Sequence, residues 1–493
     1  MTALHPRNGE DGKLIEYEAR FTVQYTQVEP GSRLKLRRWV GEHPENLLSS
    51  DMLEELRAIY LQPLRDPALG LKPGRTSQLS KLVHRLSTPE QQDALEARLK
   101  DFEATLMALP PVSSTNDAIT QRHTSMLGEE LAQLLRLGLT PSDFARFASR
   151  VGLSVGDMEV EQNGLGFNNL IYMAVVLSEL TLNTNVSYCG LIVEEPEAHL
   201  HPQLQAVLLD YLRTVEKPIE GQRAVQVFVT SHSPNFTALA DLDSICCVYQ
   251  GPAGPAAFAP RDVAFSEKMK EKLQRYLNVT RAELFFARRI LLVEGTAELF
   301  VVDALASSTG ISLRKHSVSV ISTDGLNFDA FLPLFGADAM QIPVAVVTDA
   351  DPPAGDYPSN STELVLSANA KLLREGTDEF VQCFFAQKTL EYDLGFDATC
   401  RAHMITALKE MHPEIGEDVE TDVGAAMGDH QKAKTLFRGI FQRGEGKTKV
   451  QKGRFSQLLA YEIIESKNTV ALPNYLADAI KFVTTPVRSS GAV

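Results

Sequence analysis

Two acidic clusters in the C-terminal half of the sequence have the residue types and spacing to hold a hard metal ion. In ILLVEGTAE an apolar run ends on Glu294, turns on Gly295 and carries Glu298 in the predicted first turn of a helix, so both carboxylates can face one point. Glycine at that position permits a tight turn and the close approach of a ligand. In PVAVVTDAD, Asp349 and Asp351 stand two apart at the end of another apolar run, a spacing that sends side chains to the same face of a strand. Carboxylates gathered on neighbouring strand ends suit Mg²⁺ or Mn²⁺, which prefer oxygen donors and water. Acids at one strand end alone often do no more than favour a helix N-terminus; two such clusters together are a stronger signal.

The first half offers a different chemistry. GLIVEE ends an apolar strand on Glu194 and Glu195, at the carboxyl edge of a parallel sheet, where α/β folds bind ligands. One carboxylate there can hold a metal through water and the next can polarise water at a nucleotide γ-phosphate. A later strand runs into VFVTSHSPNF and places His232 beside the same edge, although a lone histidine after a strand is more often a satisfied structural residue. NGLGFNNLIY sets Gly164 and Gly166 at the opening of a helix, a geometry in which backbone N–H groups and the helix dipole attract phosphate. The sequence contains no G-x-x-x-x-G-K-[ST] loop; GLKPGRTSQLSK has a glycine and cations without the spacing. Without that cradle for the β and γ phosphates, ATP hydrolysis by this chain alone is not expected.

The elements that must position these groups follow from periodicity. KLIEYEARFTVQYTQ and SRLKLRRWV alternate as strands, whereas DMLEELRAIYLQPL and PEQQDALEARLKDFEATLMAL carry a helical period. Residues 51–151 are therefore read as a helical insertion serving dimerisation, set into a partial ATPase domain made of residues 1–50 and 152–275. GPAGPAAFAP has the composition of a linker, and residues 285–493 form a second α/β domain in which apolar strands alternate with helices. The expected fold class is α/β with mainly parallel sheets.

Bulk composition narrows the function classes. A chain of 493 residues should hold two or three domains. Its hydrophobic content of 44% and charged content of 23% are those of a globular protein, and no apolar run reaches the ~18 residues of a membrane span. MTALHPRNGEDGKLIEYE lacks the apolar stretch of an export signal, so a cytoplasmic location without membrane association is expected. Five cysteines without a CxxC pair do not suggest disulfides or structural zinc. A formal net charge of −15 excludes a protein that coats nucleic acid, since that binding is driven by cations. Contact with DNA must be local, and the run from Lys432 to Arg454, broken by the single acid Glu445, is the candidate.

GLIVEEPEAHLHPQLQ resembles the Walker B and D-loop segment of ABC-type ATPases of the SMC and OLD kind, TSHS resembles their switch histidine, and NGLGF is similar to the divergent signature segment of the OLD family. VEGxxE followed by an apolar strand ending DxD resembles the TOPRIM fold shared by topoisomerases, primases and OLD-family nucleases. Taken in this order, from about residue 14 onward, the chain resembles the OLD (overcoming lysogenization defect) nucleases: an ABC-type ATPase domain with a helical insertion, here without its N-terminal Walker A segment, followed by a TOPRIM domain. The resemblance implies a metal-dependent DNA endonuclease or nickase that hydrolyses phosphodiesters with two ions of Mg²⁺ or Mn²⁺. It further implies an ATPase half that is regulatory or impaired, with ATP as a conceivable ligand, together with a homodimer, room for a helicase-like partner and a role in phage defence. It also implies Glu391 in TLEYDL as the acid of a second metal site and Lys452 in KGRFSQLLA as an active-site lysine; the basic run then ends at the predicted active site, which makes Arg443, Lys447, Lys449 and Arg454 the expected DNA contacts. A non-enzymatic ABC-type DNA clamp or recombination mediator is the rival reading, and intact Glu294, Glu298, Asp349 and Asp351 argue against it. Asp324, in STDGLNF, reads as a turn-forming Asp-Gly.

Overall fold

A computed structural model of the chain describes residues 4–8, 14–27, 32–63, 67–138, 143–184, 186–217, 219–353, 355–359, 364–444, 449–466 and 468–485. It divides into two units, Met1–Ser231 and His232–Val493.

In the first unit the alternating N-terminal segments pair as antiparallel hairpins, β1 (Leu4–Asn8) with β2 (Leu14–Ala19) and β3 (Phe21–Thr26) with β4 (Lys35–Val40). DMLEELRAIYLQPL departs from its helical reading. A short helix, Ser50–Glu54, capped by the Ser49 hydroxyl, gives way to β5 (Leu56–Leu61). Tertiary pairing overrides the local period there, because a strand beside the central strand of the sheet buries Ile59 and Leu61. The helical character holds further on. Thr88 and Gln91 close a capping box at the start of helix Pro89–Met107, and Pro110 opens helix Pro110–Leu127, which stops at Gly128 with φ of 76°. Neither helix buries a residue.

After the small hairpin of β6 (Ser154–Val155) and β7 (Met158–Glu159), helix Leu165–Thr181 buries Met173, Val176, Leu177 and Leu180 and contacts β8 (Tyr188–Glu194). β8 is the middle of a parallel sheet, with β5 on one side and β9 (Gln226–Thr230) on the other. Leu191 and Val193 are buried, while Tyr60, Ile192 and Phe228, in register across the three strands, are exposed.

The second unit corrects the linker reading. GPAGPAAFAP supplies the turn and second strand of an antiparallel hairpin, β10 (Cys247–Gly251) and β11 (Gly254–Phe258), whose Cys247 and Phe258 enter a core. Glycine and proline serve a tight turn as readily as a linker, so composition does not separate the two. Downstream, β12 (Arg289–Val293), β13 (Val318–Ser322), β14 (Val344–Asp349) and β15 (Val381–Ala386) form a parallel sheet in the order β13-β12-β14-β15. Leu291, Val293, Ala345 and Val347 pack into one core, while Ile290, Leu292, Val344 and Val346 pack into the other. This two-sided burial is why these strands are unbroken apolar runs, and each large aliphatic side chain so buried contributes about 1.5–3 kcal/mol. Parallel topology then gathers the carboxyl ends of β12, β14 and β15 on one edge. No helix among the described residues is long and apolar enough to cross a membrane.

Candidate active site

Glu294 leaves the end of β12 and reaches across to β14: its Oε1 accepts the Asp349 backbone N–H at 2.8 Å and the Thr348 hydroxyl. Gly295 has a φ of −153°, open to any residue, and a Cβ there would meet only Glu298 Oε2 at 3.4 Å. The expected tight glycine turn is therefore not what fixes this position. Glu298 lies in the first turn of helix Thr296–Ser308 and accepts the Gly295 N–H at 3.1 Å, as a capping carboxylate does. Glu391 sits in the short helix Leu390–Leu394, capped by the Thr389 hydroxyl, and its side chain is only 2% exposed. Lys452 opens helix Lys452–Ser466, which packs along Thr296–Ser308, and its Nζ lies 2.9 Å from Glu391 Oε1.

The carboxylates feel one another. Burial pushes Asp349 well above the usual aspartate range, and Glu294, Glu391 and Glu298 add to the effect while Lys452 opposes it. Burial likewise raises Glu298, with Glu391 and Glu294 contributing. Burial works against the Lys452 ammonium, but Glu391, by charge and hydrogen bond, together with Asp349 and Glu298, holds its proton above the ordinary lysine value. Like charges kept together under burial are a costly arrangement that a cation relieves. Glu391 Oε2 is buried without a hydrogen-bond partner, and an all-oxygen donor set suits a hard divalent ion. The set thus fits such an ion chemically. As the side chains stand, Glu294 and Glu298 are engaged as hydrogen-bond acceptors and Glu391 as an ion pair. Among the described residues no three His, Cys, Asp or Glu side chains already converge as metal ligands.

Other expected residues stand apart. β14 ends at Asp349, and Asp351 lies beyond it, exposed, with left-handed backbone at φ of 50°. The rule that residues two apart share a face stops where the strand stops, so alternation does not set the direction of Asp351. Lys449 and Arg454 are exposed beside the start of helix Lys452–Ser466, Arg443 is partly buried, and Lys447 lies outside the described residues. Asp324 does form the expected turn: it is left-handed at φ of 53°, Gly325 follows at 95°, and Arg281 pairs with its carboxylate.

Sequence reading missed three groups. Thr348 hydrogen-bonds Glu294. The Tyr475 phenol is pushed well up by burial and by Asp393, Asp349, Glu298 and Glu391. Lys388 is lowered by burial although Asp356, Asp351 and Asp349 oppose it. Only the proximity of Thr348 to the DAD motif could have pointed to any of them.

In the first unit Glu194 ends β8 and holds the Tyr60 phenol above its ordinary value, while Glu195, left-handed at φ of 42°, donates its N–H to the Thr230 carbonyl at 2.9 Å. Gly164 caps helix Leu165–Thr181 with open space where a Cβ would stand. Gly166 is different, since a Cβ there would lie 2.4 Å from the His199 carbonyl oxygen. This glycine is required by close backbone packing. His232 follows Ser231 at the start of the second unit.

Residues 285–351 match the family described as overcoming lysogenization defect protein-like, TOPRIM domain, and residues 56–237 match the AAA ATPase domain. Over these two segments the chain is similar to the OLD-like TOPRIM and AAA ATPase families. Endonuclease GajA of Bacillus cereus is 22% identical over 59% of this chain and 46% of its own length. The OLD nuclease of Thermus scotoductus is 21% identical over 77% of this chain and 73% of its own. The chain thus spans less than half of the first of these relatives and about three-quarters of the second. Among solved structures, the C-terminal region of the Burkholderia pseudomallei OLD protein is 26% identical over 40% of this chain and 97% of its own, with a TM-score of 0.29.

Proposed function

We propose that the TOPRIM unit is a metal-dependent DNA endonuclease or nickase. The observation that carries this reading is the placing of Glu294, which accepts the Asp349 N–H, and of Glu298 at the carboxyl edge of one sheet, together with the buried Glu391 paired to Lys452. Two ions of Mg²⁺ or Mn²⁺, held by these carboxylates with Asp351 on the solvent side, would activate water and steady the leaving oxygen. Lys452 offers its ammonium to the negative charge that grows on the phosphodiester. Arg443, Lys447, Lys449 and Arg454 meet the DNA backbone through charge. Water oxygen joins phosphorus as the bond to the 3′ oxygen breaks, leaving 5′-phosphate and 3′-hydroxyl ends.

The ATPase-like unit is a regulatory element that does not turn over ATP unaided, since the sequence holds no phosphate-cradling loop. A homodimer through helices Pro89–Met107 and Pro110–Leu127, and a helicase-like partner, complete the reading. The test is incubation of supercoiled plasmid with Mg²⁺, Mn²⁺ or Ca²⁺, with and without ATP. Asp349→Ala should abolish nicking without loss of fold; a folded variant that nicks at the wild-type rate overturns the assignment.

A further inference from the structure

The edge of the TOPRIM sheet where β12, β13 and β14 begin lies opposite the carboxylates and carries cations that the proposed chemistry does not use. Parallel pairing sets Arg289 across from Val318. The Arg288–Arg289 pair leading into β12 therefore lies beside the Arg314–Lys315–His316 turn leading into β13. Arg289 Nη1 donates to the His316 carbonyl at 2.8 Å and ties the two segments together. Ser317, next in the chain, has left-handed backbone at φ of 55°, which a residue with a side chain keeps only when its surroundings hold it there.

A cavity of about 350 Å³ opens at this junction, walled by Arg288, Arg289, Lys315 and His316 with Gln341 and the Gly251–Pro252 turn. Neither Asp nor Glu lines it among the described residues, although the chain as a whole carries a formal charge of −15. Arg288, Lys315 and His316 are exposed. Positive side chains crowded without an acid repel one another, and an anion relieves the repulsion. The planar arginine fork and the compact lysine ammonium both suit phosphate oxygens. The volume falls within the range of small-ligand sites.

We infer that this cavity binds a phosphate group. It is distinct from the proposed cleavage site, because the five residues of β12 put about 17 Å between Arg289 and Glu294. The phosphate has two sources that share this chemistry, a free polyphosphate or the backbone of a DNA strand. Binding is read without cleavage, so the inference stands or falls separately from the nuclease reading.

The test uses the whole 493-residue chain, with inorganic pyrophosphate followed by calorimetry and a short duplex oligonucleotide followed by fluorescence anisotropy, both in EDTA. Wild type is compared with Arg288→Gln/Lys315→Gln and with a charge-matched control, Lys371→Gln/Arg374→Gln, on helix Ala368–Glu375. Arg289 is left intact because it also holds the His316 carbonyl. At least one probe should bind wild type and control alike and bind the cavity variant about tenfold more weakly, with the duplex salt slope reduced by about two if the backbone is the source. Loss for pyrophosphate alone assigns the cavity to free phosphates, and loss for the duplex alone assigns it to DNA. Equal binding of both probes by wild type and cavity variant, or an equal loss in the control, overturns the inference. Melting temperatures are followed throughout; if the double variant melts early, Lys315→Gln alone carries the comparison, with an expected loss of about threefold.

Discussion

Replacing Lys452 with methionine leaves the Glu391 carboxylate buried without its partner. The Glu391 side chain is 2% exposed and its Oε1 lies 2.9 Å from Lys452 Nζ, whereas the lysine side chain is 48% exposed. Removing one partner of a fully buried pair costs about 3–5 kcal/mol, chiefly because a charge is left uncompensated. Water reaches half of this lysine, so screening brings the expected loss to about 2–3 kcal/mol. For a unit of this size that corresponds to a melting temperature lower by roughly 4–12 °C. Calorimetry in EDTA at pH 8 would compare wild type, Lys452→Met, Glu391→Gln and the double variant. Glu391→Gln should recover most of the loss, since neither charge then remains, giving a coupling of at least about 1.5 kcal/mol. Addition of Mg²⁺ should also recover Lys452→Met, because a cation again faces the carboxylate. Destabilisation by Lys452→Met of the same size in both backgrounds would refute the pairing and show the contact to be incidental.

Three further outcomes follow from named contacts. Burial raises Asp393 from 3.8 to about 7, against the backbone N–H groups of Gln387 and Lys388, and Asp349 and Glu298 are raised in the same direction. A carboxyl that holds its proton more tightly when folded stabilises fully below its unfolded value and loses that stabilisation as pH rises through the folded one. Urea midpoints in EDTA should therefore fall between pH 4 and about 7, and Asp393→Asn should flatten the fall; an unchanged slope in that variant would sink the assignment. Gly166→Ala, whose methyl would lie 2.4 Å from the His199 carbonyl oxygen, should cost about 1–3 kcal/mol or more. Gly164→Ala, which meets open space, should melt within a degree or two of wild type, about 0.5 kcal/mol, and equal melting of the two variants would contradict the packing described. Light scattering should give a species of twice 54.3 kDa that becomes monomeric when helices Pro89–Met107 and Pro110–Leu127 are replaced by a short linker; a monomeric wild type at micromolar concentration would refute the dimer.

Glu294, Glu298 and Asp349 were legible in the sequence because apolar runs buried on both faces announce parallel strands, and acids at their ends must share an edge. Glu391 and Lys452 were reached only by family resemblance, since nothing local marks residues that long-range packing brings together. Asp351 lies past the end of its strand, where alternation no longer applies. Thr348, Tyr475 and Lys388 carry no pattern at all, because their part is played through one hydrogen bond or through proximity. The strand at Leu56–Leu61 and the β10–β11 hairpin were misread for a related reason: local period and composition describe a segment, but a neighbouring strand decides its state.

The bare face of the β5-β8-β9 sheet bears on how the molecule behaves in a tube. Parallel sheets are ordinarily covered on both sides, yet Tyr60, Ile192 and Phe228 line up uncovered across three strands. At low ionic strength the formal charge of −15 holds copies apart and masks this adhesive strip. Sulfate both screens that repulsion and strengthens apolar burial, so the salts commonly used to stabilise a protein on the bench are the ones that press these strips together.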